Sequence, residues 1–132
     1  MRLLLDTHIA LWFATERDRL GPGELSAILD PDNEISVSAV SIWELRIKWN
    51  RWFRSGMRKG PFHPEGLLAA IQGFELTVIS LTAEQSAAAL NTPLAHNDPF
   101  DDLLLTVAQV TGQRLLTRDS ELRGHPLTYF PD

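Results

Sequence analysis

The run HNDPFDDLLLTVAQ, residues 96–109, constrains this chain most, because it crowds three carboxylates at the start of an apolar helix. Asp98 is a candidate N-cap, Pro99 suits the first helical position, and an apolar periodic run follows. A period of about 3.6 residues places Asp101 on the apolar face and Asp102 on the polar face. A carboxylate on the apolar side of a helix is costly unless it is paired, protonated or bound to a metal. The fold must therefore supply a partner for Asp101.

The composition fits a globular protein with a hydrophobic core. The chain has 132 residues, of which 44% are hydrophobic, and single domains cluster around ~100 to 150 residues. We therefore expect one domain spanning residues 1–132. The formal charge of -5 argues against a generic nucleic-acid coat protein, although six of the twelve basic residues and no acid lie in residues 46–59.

Several classes of protein are excluded by features that the sequence lacks. Without cysteine there are no disulfides and no thiolate metal sites, and the four histidines show no HxxxH or HExxH spacing, which argues against a zinc enzyme. The N-terminal apolar run ends at Asp6 and is too short for a signal peptide. No apolar run approaches the ~18 residues that a membrane span needs. A cytoplasmic protein without a membrane segment is therefore expected.

Apolar periodicity and turn residues predict that strands alternate with helices along the chain. We expect strands at residues 2–5, 35–38, 76–79, 114–117 and 127–130, and helices at residues 9–14, 22–30, 39–53, 64–72, 82–90 and 99–112. Thr7 is the expected cap of the first helix, and the strand 35–38 should be half-buried because apolar residues alternate with serines there. The alternation predicts an α/β fold, with a mostly parallel central sheet flanked by helices on both faces as an α/β/α sandwich.

Four acids are placed by this scheme near one edge of the sheet. Asp6 and Asp119 each follow a predicted strand, and the carboxyl ends of adjacent parallel strands open on the same edge, where α/β sheets usually bind ligands. Asp101 can join them from the start of its helix, and Glu44 from the helix 39–53. The alternatives are structural: Asp6 is then a turn or capping residue, and Glu44 forms an i,i+4 pair with Lys48.

A gathering of carboxylates needs a counter-charge. Two unit charges ~4 Å apart repel by about 4 kcal/mol at an effective dielectric constant of about 20, and a hard divalent cation removes that repulsion. Oxygen ligands without histidine or cysteine select Mg²⁺ or Mn²⁺ over zinc. Such a site supports hydrolysis of a phosphodiester, because the metal lowers the pKa of bound water and offsets charge in the transition state.

The helix 39–53 and the loop after it carry further signals. Two apolar stripes rich in tryptophan exceed what one core contact needs, so one stripe is either a partner surface or simply part of a fully buried helix. The basic side chains of this region form either a solvated face or a rim that contacts phosphates. The second interpretation is offered because basic residues interleaved with aromatic residues suit the binding of single-stranded nucleic acid. The candidate RNA contacts are Arg51, Arg54, Arg58 and Lys59.

Four segments occur in the order LLLDTHIALWF, SAVSIWELRIKW, HNDPFDDLLLTVAQ and LLTRD, and together the chain resembles the PIN-domain ribonucleases, in particular the VapC-like toxins of bacterial toxin-antitoxin pairs. The resemblance implies that Asp6, Glu44 and Asp101 are the family's first three acids and Asp119 its more variable fourth, which together hold the metal and carry catalysis. It also implies that Thr7 and Thr117 are hydroxyls beside these acids that act through them.

The resemblance implies an activity and partners as well. The family implies a Mg²⁺- or Mn²⁺-dependent endoribonuclease, usually a homodimer, held inactive by a VapB-like antitoxin in a complex that can grow into a higher assembly. The antitoxin's C-terminal segment lies in an apolar groove and often directs a basic side chain at the acids. The candidate groove residues are Ile42, Trp43, Trp49, Trp52 and Phe53. Asp102 is a departure, because relatives with an HxDPFD motif commonly carry a basic residue there.

Two other functions remain open at the level of sequence. An α/β phosphohydrolase also uses an aspartate at a strand end, but it needs a DxD pair or a well-placed lysine, and the DTH segment offers neither. A catalytically silent PIN-like binding module would use the tryptophan-rich helix as its interface. Cleavage of RNA, turnover of small phosphate esters and tight binding of a peptide distinguish the three functions.

Overall fold

A computed structural model describes residues 1–51, 55–57 and 62–131 of the chain. Its centre is a five-stranded sheet in the order β3-β2-β1-β4-β5, in which every pairing is parallel. The strands are β1 (Arg2–Leu5), β2 (Glu34–Ser38), β3 (Thr77–Ile79), β4 (Arg114–Leu116) and β5 (Thr128–Tyr129). The predicted α/β class and parallel sheet are therefore confirmed.

Helices cover both faces of this sheet. They are α1 (Thr7–Thr15), α2 (Pro22–Leu29), α3 (Ala39–Trp49), α4 (Pro64–Gly73), α5 (Ala83–Ala87) and α6 (Pro99–Thr111). Successive strand residues point to opposite faces, so Leu5 packs into a core with α1, α2 and α4, whereas Leu4 packs into a core with α6. The helix α3 contributes Leu45 to the first core and Val40 to the second. The alternation of side chains along the strands thus places one core on each face of the sheet, which gives the expected α/β/α sandwich.

Three local predictions need correction. The helix α3 ends at Trp49, where the backbone N–H of Asn50 bonds the carbonyl of Arg46, rather than running to residue 53; residues 52–54 lie outside the described part. The helix α5 ends at Ala87 instead of residue 90. The strand β2 is buried at Ser36 and Ser38 as well, because it lies between β1 and β3 with helices over both faces.

Capping residues fix where the helices begin and end. Asp6, not Thr7, caps α1, and its Oδ1 accepts the backbone N–H of Thr7. Asp98 caps α6 as predicted, accepting the N–H groups of the next turn. Gly112 ends α6 with φ of 67°, the left-handed conformation that glycine adopts without strain. The two aspartate caps hold the beginnings of α1 and α6 at the carboxyl edge of the sheet.

The strand order creates a crevice at that edge. The strand β1 is flanked by β2 on one side and β4 on the other, and connections that leave in opposite directions open a crevice in α/β sheets. The backbone N–H of Asp6 donates to the carbonyl of Leu116 at 2.9 Å, which ties the ends of β1 and β4 together. Within the ranges described, no helix is long and apolar enough to cross a membrane.

Candidate functional site

A pocket of about 410 Å³ opens at this crevice. We call it the acidic pocket, and it brings together all four acids predicted from sequence. Its lining residues are Asp6, His8, Ile9, Trp12, Glu44, Lys48, Asp98, Asp101, Arg118 and Asp119. Five carboxylates therefore face two basic side chains, and the sequence expectation of a crowded negative edge is met.

Asp6 is anchored by two neighbours. Its Oδ1 accepts the N–H of Thr7 at 2.8 Å, and its Oδ2 accepts the hydroxyl of Thr117 at 2.6 Å. Burial is the main cause that raises the pKa of Asp6, the two hydrogen bonds oppose it, and the charge of Glu44 adds to it. Asp6 therefore caps a helix, as the structural alternative predicted, and it also lines the acidic pocket.

Asp101 lies in the first turn of α6 and is 8% exposed, whereas Asp102 is exposed, as the helical periodicity predicted. The Oδ2 atom of Asp101 is 2.9 Å from Nε2 of His96, which is the partner that this buried carboxylate needs. Burial raises the pKa of Asp101 to about 6 against the opposing hydrogen bond, and the charges of Asp98, Asp6 and Asp119 raise it further. The hydrogen bond to Asp101 in turn raises the pKa of His96.

Glu44 reaches the pocket from α3 with its side chain 12% exposed. Its Oε2 pairs with Nζ of Lys48 at 2.9 Å, and its Oε1 accepts the hydroxyl of Thr7 at 2.7 Å. The i,i+4 pair that sequence offered as the structural alternative is therefore present, and it does not remove Glu44 from the site. The Thr7 hydroxyl also lies 2.9 Å from that of Ser41, so Thr7 links α1 to α3.

Asp119 begins a single 3₁₀ turn, Ser120–Leu122, beyond the end of β4. Its Oδ1 accepts the N–H of Glu121 at 3.0 Å, and its own N–H donates to Thr117 Oγ1 at 3.0 Å. Thr117 thus contacts Asp6 through its hydroxyl hydrogen and Asp119 through its oxygen. The predicted placement of both threonines beside the acids agrees with the contacts.

The donor chemistry of the acidic pocket fits a hard divalent cation. Carboxylate oxygens are the ligands that Mg²⁺ and Mn²⁺ prefer. Burial raises the pKa of Asp6 and Asp101 because it removes solvent from their charged forms, and a bound cation would stabilise those charged forms. Among the described residues, no group of three or more acidic or histidine side chains is arranged so that it could hold a metal ion. Asp6, Glu44 and Asp101 each direct an oxygen at a protein donor.

The predicted groove residues lie elsewhere. An apolar groove of about 650 Å³ runs between α3 and α4, and Ile42, Trp43 and Trp49 line it together with Leu68. Trp43 is 47% exposed and packs edge-on against Phe100, with ring centroids 5.6 Å apart. The other two groove candidates, Trp52 and Phe53, lie outside the described residues.

The position of the acidic pocket does not test the four predicted RNA contacts. Arg51 is exposed and is not among the residues that line the acidic pocket. Arg54, Arg58 and Lys59 lie outside the described residues.

Sequence reasoning missed His8, Trp12 and Arg118, which line the acidic pocket, and His96, which contacts Asp101. The spacing of the histidines predicts no role for His96, although its place just before the Asp98 cap puts it beside the helix start. Trp12 follows His8 by four residues, a spacing that places both on one helix face. Arg118 stands between Thr117 and Asp119, but nothing local to it indicates that it pairs with Glu24.

Comparisons with known proteins agree on one family. The family model for the PIN domain matches residues 3–126. Ribonuclease VapC22 of Mycobacterium tuberculosis is 32% identical over 126 residues, covering 93% of this chain and 91% of the relative.

Two solved structures share the fold. One is VapBC2 from Rickettsia felis bound to a DNA fragment from its promoter, with a TM-score of 0.62 and 14% identity, covering all of both chains. The other is a toxin-antitoxin complex from Klebsiella pneumoniae, with a TM-score of 0.65 and 17% identity, covering 98% of each chain.

Proposed function

Because the chain belongs to the PIN-domain family, we propose that it is an endoribonuclease that hydrolyses RNA phosphodiester bonds with Mg²⁺ or Mn²⁺, and that it is the toxin of a toxin-antitoxin pair. The observation that carries the proposal is the convergence of Asp6, Glu44, Asp101 and Asp119 on one pocket at the sheet crevice. The identity to a curated ribonuclease over nearly the whole chain supports the same activity.

The proposed roles follow from how each acid is held. Asp6, which follows the end of β1, and Asp101, in the first turn of α6, would hold the cation directly. Glu44 and Asp119 would hold a second ion or orient the attacking water. A divalent cation bound by these acids would supply Lewis acidity, which would lower the pKa of bound water and offset charge in the transition state.

Two threonine hydroxyls and one histidine ring keep three of these acids in place. Thr117 orients Asp6, Thr7 orients Glu44, and His96 fixes the carboxylate of Asp101. Because Asp6 and Glu44 lie on different elements, these contacts also set the spacing between the two carboxylates across the pocket. Loss of either threonine hydroxyl should therefore loosen the site without removing an acid.

The proposed partner is a VapB-like antitoxin in the cytoplasm. The groove between α3 and α4 is apolar, lined by Ile42, Trp43 and Trp49, and exposes an aromatic ring of the kind that anchors peptide helices. The two solved structures that share the fold are VapBC2 bound to promoter DNA and a toxin-antitoxin complex. A homodimer of the toxin, alone or within a higher assembly, belongs to the same proposal.

Purified protein tests the activity directly. We expect cleavage of single-stranded RNA that requires Mg²⁺ or Mn²⁺, stops in EDTA and is lost in Asp6→Asn. Asp102→Asn is the matched control, because it makes the same chemical change at an exposed position and should keep activity. Robust cleavage by Asp6→Asn would defeat the assignment. Turnover of small phosphate esters without RNA cleavage would identify a phosphohydrolase, and tight peptide binding without turnover a silent module.

A further inference from the structure

One wall of the acidic pocket is aromatic rather than acidic. Trp12 and His8 stand on the same face of α1, with ring centroids 5.7 Å apart, and both line the pocket beside Asp6. The residues on the opposite side of α1, Ala10 and Phe13 among them, are buried in the core. Trp12 is half-buried, so its ring packs against the core and still contributes surface to the pocket.

A fixed arginine completes this wall. The guanidinium carbon of Arg118 lies 4.8 Å from the centroid of the Trp12 ring. Glu24, which is 7% exposed, receives the guanidinium at 2.6 and 2.8 Å, and the carbonyl of Arg19 receives it at 2.7 Å. The bonds to Glu24 and Arg19 span 94 and 99 positions of the chain and leave the guanidinium little freedom to turn. The charge of Arg118 is thus already paired with Glu24, and its guanidinium lies over the indole of Trp12, whose ring centroid is also 5.9 Å from the guanidinium carbon of Arg19.

The chemistry of the wall selects a neutral, flat group. Five carboxylates line the same pocket, so an additional anion would be repelled there in the absence of metal. A nucleobase carries no charge, and bases splayed out of single-stranded RNA stack on aromatic rings and on arginine planes. The volume of about 410 Å³ lies in the range of ~300 to 1,000 Å³ that is usual for small-ligand sites.

We propose that Trp12 and Arg118 form a base-stacking subsite that receives one unpaired nucleobase of the RNA next to the bond that is cut. The proposal rests on the proposed ribonuclease function and names how that site chooses its substrate. A base in this subsite must leave its own stack, so the subsite favours single-stranded over double-stranded RNA. Because the charge of Arg118 is already paired, the subsite contributes stacking rather than phosphate attraction.

Equilibrium binding of short single-stranded RNA tests the subsite without cleavage, using the Asp6→Asn chain in Mg²⁺. Trp12→Leu should weaken binding by about tenfold, since one stacked base is worth ~1 to 3 kcal/mol, while Trp12→Phe should retain most of the affinity. The slope of affinity against salt should not change, because no phosphate contact is lost. Phe74→Leu, which changes an exposed aromatic side chain outside the acidic pocket, is the control and should bind RNA normally.

A second measurement needs no change at Trp12. Each nucleotide of the RNA is replaced in turn by an abasic ribose, and one position should lose about as much affinity as Trp12→Leu, with no further loss when the two are combined. The subsite would be rejected if no abasic position lowers the affinity, or if Trp12→Leu binds the RNA as tightly as the parent chain does.

The two proposals fail in different ways. Metal-dependent cleavage by the wild-type chain with a flat abasic scan keeps the ribonuclease and rejects the subsite. A base-dependent affinity that needs Trp12, in a chain that cuts no RNA, keeps the subsite and rejects the nuclease. Absence of any RNA binding rejects both.

Discussion

Asp101→Asn should make the protein more stable in the absence of divalent metal, while it destroys the proposed activity. Burial raises the pKa of Asp101 from 3.8 to about 6, so at neutral pH the folded chain pays to keep this carboxylate ionised. Asparagine has nearly the same shape, carries no charge, and its side-chain oxygen can still accept a hydrogen bond from His96. The variant therefore removes the cost of ionisation and keeps the contact.

The size of the gain follows from the shift in pKa. A rise of about two pKa units corresponds to about 3 kcal/mol, because each unit is worth ~1.4 kcal/mol. Asp101 is 8% exposed, so solvent screens the charge only partly, and some of the charge-assisted bond to His96 is lost in the variant. We expect a gain of ~1 to 3 kcal/mol in the free energy of unfolding, which for a chain of this size raises Tm by roughly 3 to 10 °C.

The gain should depend on pH with a definite sign. Between about pH 4 and pH 6 the folded chain holds a proton on Asp101 that the unfolded chain has released, so the wild type loses stability as pH rises through this window. The variant has no such group. The difference between the two proteins should be full above about pH 7, small at about pH 4, and absent below about pH 3, where Asp101 is protonated in both states.

Thermal and urea unfolding in EDTA, followed across this range of pH, measures the difference. Asp102→Asn serves as the control, since it removes a carboxylate from the same helical turn at an exposed position. It should change stability by less than about 0.5 kcal/mol. The reasoning is refuted if Asp101→Asn is no more stable than the wild type at neutral pH, or if its advantage is as large at about pH 4 as at about pH 7.

Three further outcomes are expected. Mg²⁺ or Mn²⁺ at about 100 times its dissociation constant should stabilise the wild type by about 2.7 kcal/mol, seen as a rise in Tm that is smaller in Asp101→Asn; equal rises would contradict metal binding at Asp101. Trp43→Glu, at a side chain 47% exposed, should abolish binding of an antitoxin peptide and leave RNA cleavage intact, and titration of the peptide followed by a cleavage assay checks both. Glu24→Gln should cost ~1 to 2 kcal/mol in urea unfolding, because the partly exposed Arg118 loses its charged partner; an unchanged midpoint would show that the pair is not stabilising.

The sequence predicted those parts of the molecule that follow from local pattern. Asp6 directly follows β1, and Asp119 lies three residues beyond the end of β4. Parallel neighbours bring such residues to one edge, so their convergence follows once β1 and β4 are adjacent. The periodicity of α6 alone separated the buried Asp101 from the exposed Asp102. Asp98 and Gly112 marked the ends of this helix by their capping preferences.

Contacts between distant segments could not be predicted in the same way. Thr117 bonds Asp6 across 111 residues, and Arg118 bonds Glu24 across 94, so neither pairing leaves a trace in a short window of sequence. The end of α3 also escaped prediction, because its apolar pattern continues past Trp49 while the backbone stops at Asn50.

These distant contacts explain how the fold tolerates a cluster of acids. Glu44 has Lys48 beside it and Asp101 has His96, so each carboxylate that sits among like charges also touches a donor. A divalent cation would have to compete with these donors, and the same donors would take up the role of holding the carboxylates when the cation leaves. Burial, together with the charges of Asp98, Asp6 and Asp119, still raises the pKa of Asp101, so these donors stabilise its ionised form only in part. A bound cation would stabilise that ionised form further.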